Sequence, residues 1–392
     1  MTTGSRIRSI FKSSRTLVVV ILLGLLALSA CQAGTGALAR GWSGVAIADD
    51  ILFVGSMDGR LVAVNLDDGS RLWDIPLETE PKSTGGFLNC APSGPISVAI
   101  YGTPAVADDL VYVGGYNSKI YAFKVDEASP RAEPRRVSRE LNIRGPIVGG
   151  IIASEGKVYL GAADGKVYAL DAADGFKEWD FETGDKIWAT PVIDGNTLYI
   201  GSFDENLYAL DISNGTRKWQ FGTEGPVVST PLVHDGTVYF GAFDRHFYAL
   251  NASDGSLKWE FEAENWFWAR PVIRDGVIYA SSLDGKVYVL NAETGEKQLD
   301  FDLGSPVSSS PVMVGDKLVV VATAVSKDSS VVYTLDTTNN RRDELLILEE
   351  KVYAPVTAGD GKVYIHTEAD ALYEIDVESG ARREFDIEQK DS

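Results

Sequence analysis

Short apolar runs separated by polar turn residues recur along the chain with a period close to 40 residues. The clearest copy holds the apolar stretches 197–201 and 206–210, whose Leu, Tyr and Ile residues follow the pattern of half-buried and buried strands. Asp-Gly, Asp-Glu and Asn-Gly pairs punctuate this copy with the chemistry of tight turns. A fourth strand is predicted at 217–221, and no helical period is evident after residue 30. Each unit is therefore predicted to form four short strands.

The unit can be counted eight times. The position of Gly201 recurs at residues 55, 114, 161, 241, 281, 321 and 366, and extra residues fall in three insertions, at 81–99, about 125–142 and 322–330. Four-stranded units of about 40 residues are typical of β-propeller blades, and a closed ring gives every blade two neighbours. The fold class predicted is all-β, an eight-bladed β-propeller of four-stranded antiparallel blades.

The predicted domain boundaries place one propeller at 42–388 and a short C-terminal tail at 389–392. The last blade can be completed in two ways. Residues 382–387 can supply its final strand from the blade's own end, or a strand from about 33–40 can do so and tie the two termini together. The pattern leaves both routes open.

The residues before the propeller are predicted to direct the protein to its location. A basic segment precedes the apolar run 17–28, which is shorter than the 20 or so residues that span a bilayer, and this order is typical of a secretory signal. The end of the run, Leu28-Ser29-Ala30-Cys31, resembles a bacterial lipobox. That resemblance implies removal of residues 1–30, lipidation of Cys31, and a tether at 31–41. An ordinary signal peptide with an incidental cysteine is the alternative.

A lipidated Cys31 would hold the protein outside the cytoplasm, on the cell membrane or the outer membrane, because two or more acyl chains give stable anchoring. The chain has 36 basic and 56 acidic residues and a formal net charge of −20. Nucleic-acid binding is excluded as a class, since it needs basic groups that displace phosphate counterions. Two cysteines in 392 residues exclude a disulfide framework.

The repeat also resembles a known family. The segment 165–179, Gly-Lys-Val-Tyr-Ala-Leu-Asp-Ala-Ala-Asp-Gly-Phe-Lys-Glu-Trp, resembles the PQQ-like propeller repeat, and the docking tryptophan of that repeat is matched by Trp73, Trp179, Trp219 and Trp259. We expect these tryptophans to pack between blades. The resemblance extends over nearly all of the mature chain but does not fix a function. The family includes quinone-dependent dehydrogenases, the outer-membrane assembly lipoprotein BamB, kinase sensor domains and scaffolds.

An enzymatic role is not expected. Quinone-dependent dehydrogenases of this family are longer and place the quinone against a disulfide of adjacent cysteines, whereas Cys31 and Cys90 are far apart here. The acidic residues Asp58, Asp164, Asp204, Asp244 and Asp284 recur at one turn position, which favours turn capping over a metal site. The three histidines occupy different positions of the repeat. No catalytic residue, cofactor or metal ligand is predicted.

Side chains that break the equivalence of the blades are the better candidates for binding. Trp188 and Trp268 stand three positions before the proline that opens the innermost strand, and the same spacing before Pro355 selects Val352 in the last blade. Trp266 lies close to Trp268 in the sequence. Arg270 directly precedes the proline of its blade, and it is the one charged residue at this position among the blades. Two interpretations remain open: these side chains fill the wide central channel, or they form a site for a peptide or small ligand.

The first two insertions supply the remaining candidates, because long loops on a rigid scaffold often carry binding sites. The first insertion carries the apolar residues Phe87 and Leu88 beside Cys90. The second is rich in arginine and includes Arg135 and Arg136. Two solvated loops that contact nothing are the alternative.

These observations predict a membrane-anchored, extracytoplasmic propeller that acts as a non-catalytic scaffold for protein partners. The first alternative is a BamB-like factor in the assembly of outer-membrane β-barrel proteins. The second is a protein that binds PQQ or another small ligand in the central channel, with or without redox chemistry.

Overall fold

The structure is a computed structural model that describes residues 41–78, 98–107, 109–124, 135–136 and 141–387, with the backbone alone for residues 124, 135–136 and 141–142. All elements in these ranges are β-strands, and they form eight antiparallel sheets that follow one another along the chain. None of the described elements is a helix that is long and apolar enough to cross a membrane. The predicted eight-bladed β-propeller is confirmed.

The strands of the first four blades have the following bounds. Blade 1 holds β1 (Val45–Ala48), β2 (Ile51–Gly55), β3 (Arg60–Asn65) and β4 (Arg71–Pro76). Blade 2 holds β5 (Ala105–Ala107), β6 (Leu110–Gly114), β7 (Lys119–Lys124), β8 (Arg135–Arg136) and β9 (Leu141–Asn142), with β8 and β9 both paired to β7. Blade 3 holds β10 (Ile152–Ser154), β11 (Lys157–Gly161), β12 (Lys166–Asp171) and β13 (Lys177–Glu182). Blade 4 holds β14 (Val192–Asp194), β15 (Thr197–Gly201), β16 (Asn206–Asp211) and β17 (Arg217–Gly222).

The other four blades repeat this order. Blade 5 holds β18 (Leu232–His234), β19 (Thr237–Gly241), β20 (His246–Asn251) and β21 (Leu257–Glu262). Blade 6 holds β22 (Val272–Arg274), β23 (Val277–Ser281), β24 (Lys286–Asn291) and β25 (Lys297–Asp302). Blade 7 holds β26 (Val312–Val314), β27 (Lys317–Thr323), β28 (Ser330–Asp336) and β29 (Arg341–Leu348). Blade 8 holds β30 (Thr357–Gly359), β31 (Lys362–His366), β32 (Leu372–Asp376) and β33 (Arg382–Phe385).

The two middle strands of each blade form its core. In β15 and β16 four successive residues of each strand are buried, because both faces of the sheet are covered by neighbouring blades. A bulge after Ala209 lets the outer strand β17 place Trp219 opposite that alanine. The same bulge recurs in blades 1, 3, 5 and 6. The core is therefore a series of similar layers between blades.

The repeated tryptophans join each blade to the next. The indole Nε1 of Trp179, Trp219 and Trp259 donates a hydrogen bond of 2.9–3.0 Å to a backbone carbonyl of the following blade, at Ile212, Ala252 and Ala292 respectively. These side chains and Trp73 are only 7–8% exposed. Their predicted packing between blades is confirmed, and each buried ring also has its polar atom satisfied in the three blades named.

The ring closes through the C-terminal end of the chain. Strand β33 pairs with β32, so the last blade takes its outer strand from its own end. Blade 8 packs against blade 1. Tyr364 and Phe385 of blade 8 share an apolar cluster with Val45 and Val54 of blade 1. Of the two routes left open by the sequence, the first is the one observed.

Several predicted features lie outside the described residues. These are the signal peptide, the lipidation site Cys31, and the first-insertion residues Phe87, Leu88 and Cys90. The third insertion is described and lengthens the hairpin of β27 and β28 in blade 7.

Candidate partner-binding site at the channel mouth

Each blade is entered by an extended linker that runs beside the central channel before the innermost strand begins. In the linker 186–190 the side chains of Ile187 and Ala189 are buried between blades, whereas Lys186, Trp188 and Thr190 keep part of their surface accessible. Alternate side chains of an extended backbone point to opposite sides. The three accessible side chains of this linker therefore face the channel.

The linker of blade 6 has the same alternation. Phe267 and Ala269 are buried, and Trp266, Trp268 and Arg270 face the channel. The backbone carbonyl of Trp266 accepts a hydrogen bond from the amide of Leu283, 2.9 Å away in the turn between β23 and β24. Equivalent bonds in blades 2 to 5 and in blade 8 bring the turn between the second and third strands next to the linker. Residues of these turns thus join the mouth of the channel.

A first group of aromatic side chains, here called wall A, continues across blades 4 to 6. Trp188 meets Phe203 edge to face with ring centroids 4.8 Å apart, and Phe203 lies 6.4 Å from Phe243. Phe243 stacks on Trp266 at 4.6 Å and lies 5.5 Å from Trp268. All five rings remain partly exposed. The predicted candidates Trp188, Trp266 and Trp268 are thus brought into one cluster.

A second group, here called wall B, extends across blades 8, 1 and 2. Trp42 packs between Tyr101 and Tyr353, with centroid distances of 4.7 and 5.6 Å, and Tyr101 contacts Tyr116 at 5.3 Å. Tyr116 is 40% exposed. Burial, together with Tyr116, raises the pKa of Tyr101 to about 12, and burial is also the main cause of the raised pKa of Tyr353. Both phenols are therefore neutral hydrogen-bond donors at ordinary pH.

The position of Tyr353 corrects the sequence alignment of the last blade. Thr357 pairs with Tyr364 as Val192 pairs with Tyr199, so Tyr353 stands where blade 4 has Trp188. The proline of blade 8, Pro355, therefore lies one residue earlier than the equivalent proline elsewhere. The prediction that Val352 occupies this position was wrong, because the proline alone does not fix the register.

Walls A and B face each other across the channel. In a closed ring of eight blades, blade 1 lies opposite blade 5 and blade 3 lies opposite blade 7. The accessible residues at the equivalent positions of blades 3 and 7 are not aromatic; they are Pro146, Val148, Ala163, Pro306, Ser308 and Ser310. Among the described residues, no ring of wall A contacts a ring of wall B. The mouth is thus a cleft with two aromatic sides and two ends of small residues. We call it the slot.

Two cations stand in wall A. The Lys186 ammonium lies 4.3 Å from the ring centroid of Phe203 and 5.2 Å from that of Trp188, within the range of cation–π attraction. The Arg270 side chain is exposed to solvent, but neighbouring atoms of the channel wall displace part of its hydration shell. This partial desolvation lowers the pKa of the Arg270 guanidinium from its usual value. Within the described part of the chain, neither cation has a carboxylate partner, and the backbone amide of Arg270 donates to Ser310.

The recurring turn carboxylates are used to hold blades together. Asp164, Asp204, Asp244 and Asp284 each accept a hydrogen bond of 2.6–2.7 Å from the tyrosine four residues later. Asp204, Asp244 and Asp284 also accept a backbone amide from the segment that leaves the preceding blade, at Gly184, Glu224 and Glu264 respectively. In the described residues, no three His, Cys, Asp or Glu side chains are grouped so that they could hold a metal ion.

For the remaining candidate residues the structure describes no side chain, so none of them is placed at the slot. Arg135 and Arg136 form β8 in blade 2, for which only the backbone is described, and Phe87 and Leu88 lie outside the described residues. Four further residues of the mouth were not predicted from the sequence: Trp42, Phe203, Phe243 and Lys186. Comparing the residue two positions after Gly201 across all blades would have found Phe203 and Phe243.

The architecture is that of a PQQ-like repeat propeller whose blades are docked by tryptophans and whose channel opens through an aromatic mouth. The chain belongs to the family described as outer membrane protein assembly factor BamB, which matches residues 30–181 and 163–383. The outer membrane protein assembly factor BamB of Shewanella oneidensis is 29% identical over 142 residues. That match covers 36% of this chain and 31% of the relative, so it spans about a third of the relative's length.

Three solved structures share the fold. BamB from Moraxella catarrhalis superposes with a TM-score of 0.67 at 18% identity, covering 85% of this chain and 93% of that one. The computationally designed Ika8 protein gives 0.66 at 15% identity, covering 86% and 96%. The quinohemoprotein alcohol dehydrogenase ADHIIG of Pseudomonas putida HK5 gives 0.58 at 13% identity, covering 72% and 65%. At these identities the likeness concerns the fold alone.

Proposed function

We propose that this protein is a membrane-anchored, extracytoplasmic scaffold that binds protein partners at its channel mouth without catalysing a reaction. The observation that carries the proposal is the contrast between two sets of aromatic side chains. The docking tryptophans are 7–8% exposed, whereas the rings of walls A and B keep accessible surface around one opening. Exposed Trp, Tyr and Arg residues gathered on a rigid surface are the residues that dominate protein–protein binding.

A role in outer-membrane protein assembly is the more specific candidate. Family membership favours it, since relatives in this family are named as outer membrane protein assembly factors. In this role the partner would belong to the machinery that assembles outer-membrane β-barrel proteins, and lipidation at Cys31 would keep the propeller at the membrane. The lipobox resemblance of residues 28–31 supports the anchor.

Photocrosslinking in intact cells tests the scaffold. A photoreactive phenylalanine analogue at Tyr116, which is 40% exposed in wall B, is expected to capture one or a few discrete proteins. The same analogue at Phe176, which is 59% exposed in the turn before β13, is the matched control and should not capture them. Capture of a barrel-assembly protein supports the specific role. Equal products from both positions, or none at Tyr116, contradict a partner site at the mouth.

The anchor and the absence of catalysis need separate tests. A Cys31→Ala variant is expected to lose incorporation of a labelled fatty acid and to leave the membrane fraction. The purified protein with PQQ and Ca²⁺ is expected to show neither binding nor reduction of an electron-accepting dye. Dye reduction would contradict the non-catalytic assignment and support the PQQ alternative.

A further inference from the structure

We infer that the slot binds an extended polypeptide segment of the partner, laid from blade 3 to blade 7, with acidic side chains turned to wall A and apolar side chains turned to wall B. This inference rests on the proposed function, and it specifies the chemistry of the partner. It follows from three features of the mouth: two opposed aromatic walls, open ends of small residues, and cations that, among the described residues, lack a carboxylate partner on one side only.

The two walls match the geometry of an extended chain. Successive side chains of an extended backbone point to opposite sides, and side chains on the same side repeat every two residues, about 6.6 Å. Such a segment running between the walls presents every second side chain to wall A and the others to wall B. A helix would turn its side chains in all directions and leave much of this fit unused.

The extent of the walls also favours a chain over a single planar molecule. Wall A continues from Trp188 to Trp266 through three ring contacts across three blades, and wall B does the same from Tyr353 to Tyr116. One planar ligand stacks on one or two of these rings. An extended segment of several residues can contact both walls along their length. The small side chains of blades 3 and 7, such as Ala163 and Ser308, leave room where the segment enters and leaves.

The charges distinguish the two sides of the bound segment. Lys186 and Arg270 belong to wall A and have no carboxylate partner among the described residues. On the side of wall B, the cation Lys351 is already paired with Asp328, its Nζ 2.9 Å from Oδ1. A carboxylate turned to wall A would therefore find the unpaired cations. Because the chain as a whole carries a net charge of −20, cations without a carboxylate partner would favour binding of an acidic segment at this mouth over binding to the acidic surface in general.

A direct test uses three fluorescent peptides and the full-length protein purified from membranes in detergent. The first peptide is Leu-Asp-Leu-Phe-Leu-Asp-Leu between Gly-Ser flanks, which places both carboxylates and the Phe on one side. The second replaces each Asp with Lys. The third, Leu-Leu-Asp-Asp-Phe-Leu-Leu, keeps the composition and loses the alternation. Fluorescence anisotropy is expected to show that the first binds about tenfold or more tightly than either of the others.

Variants of both walls separate the slot from adventitious binding. Trp188→Ala in wall A and Trp42→Ala in wall B are each expected to weaken the first peptide about tenfold. Arg270→Glu is expected to reverse the preference between the Asp and Lys peptides. Arg217→Glu makes the same charge change on the outer strand of blade 4 and should leave binding unchanged. Circular dichroism of each variant verifies the fold, and Lys186→Glu replaces Arg270→Glu if that variant does not fold.

Each result decides the inference. It is overturned if the Asp peptide does not bind at millimolar concentration, if the shuffled peptide binds equally well, or if Trp42→Ala has no effect while Trp188→Ala does. Binding of PQQ that the peptide cannot displace would assign the mouth to a small ligand instead. If the peptides fail but Tyr116 still captures proteins in cells, the scaffold stands and the extended segment does not. If the capture fails, the scaffold itself is contradicted.

Discussion

His366 and Asp370 form a buried pair at the seam where the last blade meets the first, with Nε2 of the histidine 2.9 Å from Oδ1 of the aspartate. The other ring nitrogen lies 3.0 Å from the backbone oxygen of Ser43 in blade 1. The same aspartate oxygen accepts the backbone amide of Met57 at 2.9 Å. Both ring nitrogens thus lie within hydrogen-bond distance of an oxygen atom, and the ring links blade 8 to blade 1.

Replacing this histidine tests how much the seam depends on it. His366→Gln can donate to only one of the two acceptors, and the His366 side chain is fully buried, so we expect a loss of about 2–4 kcal/mol in the free energy of unfolding. Urea unfolding measures it. His234→Gln, at a side chain that is 48% exposed, should stay within about 0.5 kcal/mol. A change of similar size in both variants would show that the seam pair contributes nothing special.

At the seam that contains His366, the large and the small residue also exchange places relative to other seams between blades. In blade 5 the equivalent residue is Gly241, and a Cβ there would lie 2.1 Å from Cβ of Phe267 in the next linker. Gly55, Gly114, Gly161 and Gly201 hold this position in blades 1 to 4, and a Cβ on each would lie 2.2–2.5 Å from a side-chain atom of the following linker, at Ile100, Ile147, Ile187 and Val227 respectively. At the closing seam the large side chain comes from the strand, and the linker has Gly41 in the corresponding place.

This close approach predicts that Gly241→Ala is destabilising by about 1–3 kcal/mol, because the backbone of one blade must move away from the next. Ser281→Ala is the matched control at the same position of blade 6. The Ser281 hydroxyl is buried and has no hydrogen-bond partner among the described residues, so its loss should be neutral or slightly stabilising. Thermal unfolding of the two variants separates these outcomes, and equal effects would contradict the packing argument.

The sequence predicts the ring well because a blade repeats its own chemistry. The turn residues, the tyrosines and the docking tryptophans recur at fixed positions. The strands and turns assigned in one copy therefore predict those of the other copies. The same logic fails for the slot. Phe203 and Lys186 are far apart in the pattern, and only the hydrogen bond from the amide of Phe203 to the carbonyl of Lys186 reveals that turn and linker share one surface.

The closing seam is the other feature that repetition could not predict. Its residues depart from the consensus because blade 8 meets a blade that precedes it by most of the chain length. His366 and Arg383 appear as mismatches in an alignment of blades, and the register error at Pro355 arose in the same blade. Mismatched positions at a seam therefore need three-dimensional partners before they can be interpreted.

Asp58, in the turn after β2, is expected to lower stability at neutral pH. Burial is the main cause that raises its pKa, nearby Asp370 adds to it, and the hydroxyl of Ser56 opposes the shift. A carboxyl whose folded-state pKa is raised has no net effect below its unfolded pKa of about 3.8 and destabilises the fold above its folded pKa. Asp58→Asn should therefore raise the free energy of unfolding at pH 7, and the gain should vanish below about pH 4.

Asp254 provides a control of opposite sign for this pH profile. Hydrogen bonds from the backbone and hydroxyl of Ser256 lower its pKa, so its ionised form supports the fold above pH 4 and this support is lost in acid. Asp254→Asn should lower stability at pH 7 and have little effect at pH 2. Unfolding measured from pH 2 to 7 in both variants checks the signs. Parallel profiles for the two variants would contradict the assignment.

Arg383 occupies the docking-tryptophan position of blade 8. Leu372 pairs with Phe385 as Leu207 pairs with Phe221, which places Arg383 where blade 4 has Trp219. Its Nη2 donates to the carbonyl of Leu66 in blade 1 at 2.6 Å, the bond that the indole makes elsewhere. It also pairs with Glu374 at 2.9 Å, and Glu374 stands where blade 4 has Ala209. An arginine–glutamate pair thus replaces a tryptophan–alanine pair.

This substitution of one docking pair for another predicts strong coupling between the two positions. Arg383→Trp leaves the buried Glu374 with Lys362 as its remaining ion-pair partner, and Glu374→Ala leaves the guanidinium without its carboxylate, so each single change should cost about 1–3 kcal/mol. The double variant rebuilds the pair used by the other blades, with an indole free to donate to Leu66. We expect it to be more stable than either single variant, with a coupling energy of about 1 kcal/mol or more in urea unfolding. Additive losses would mean that Arg383 and the docking tryptophans are not equivalent.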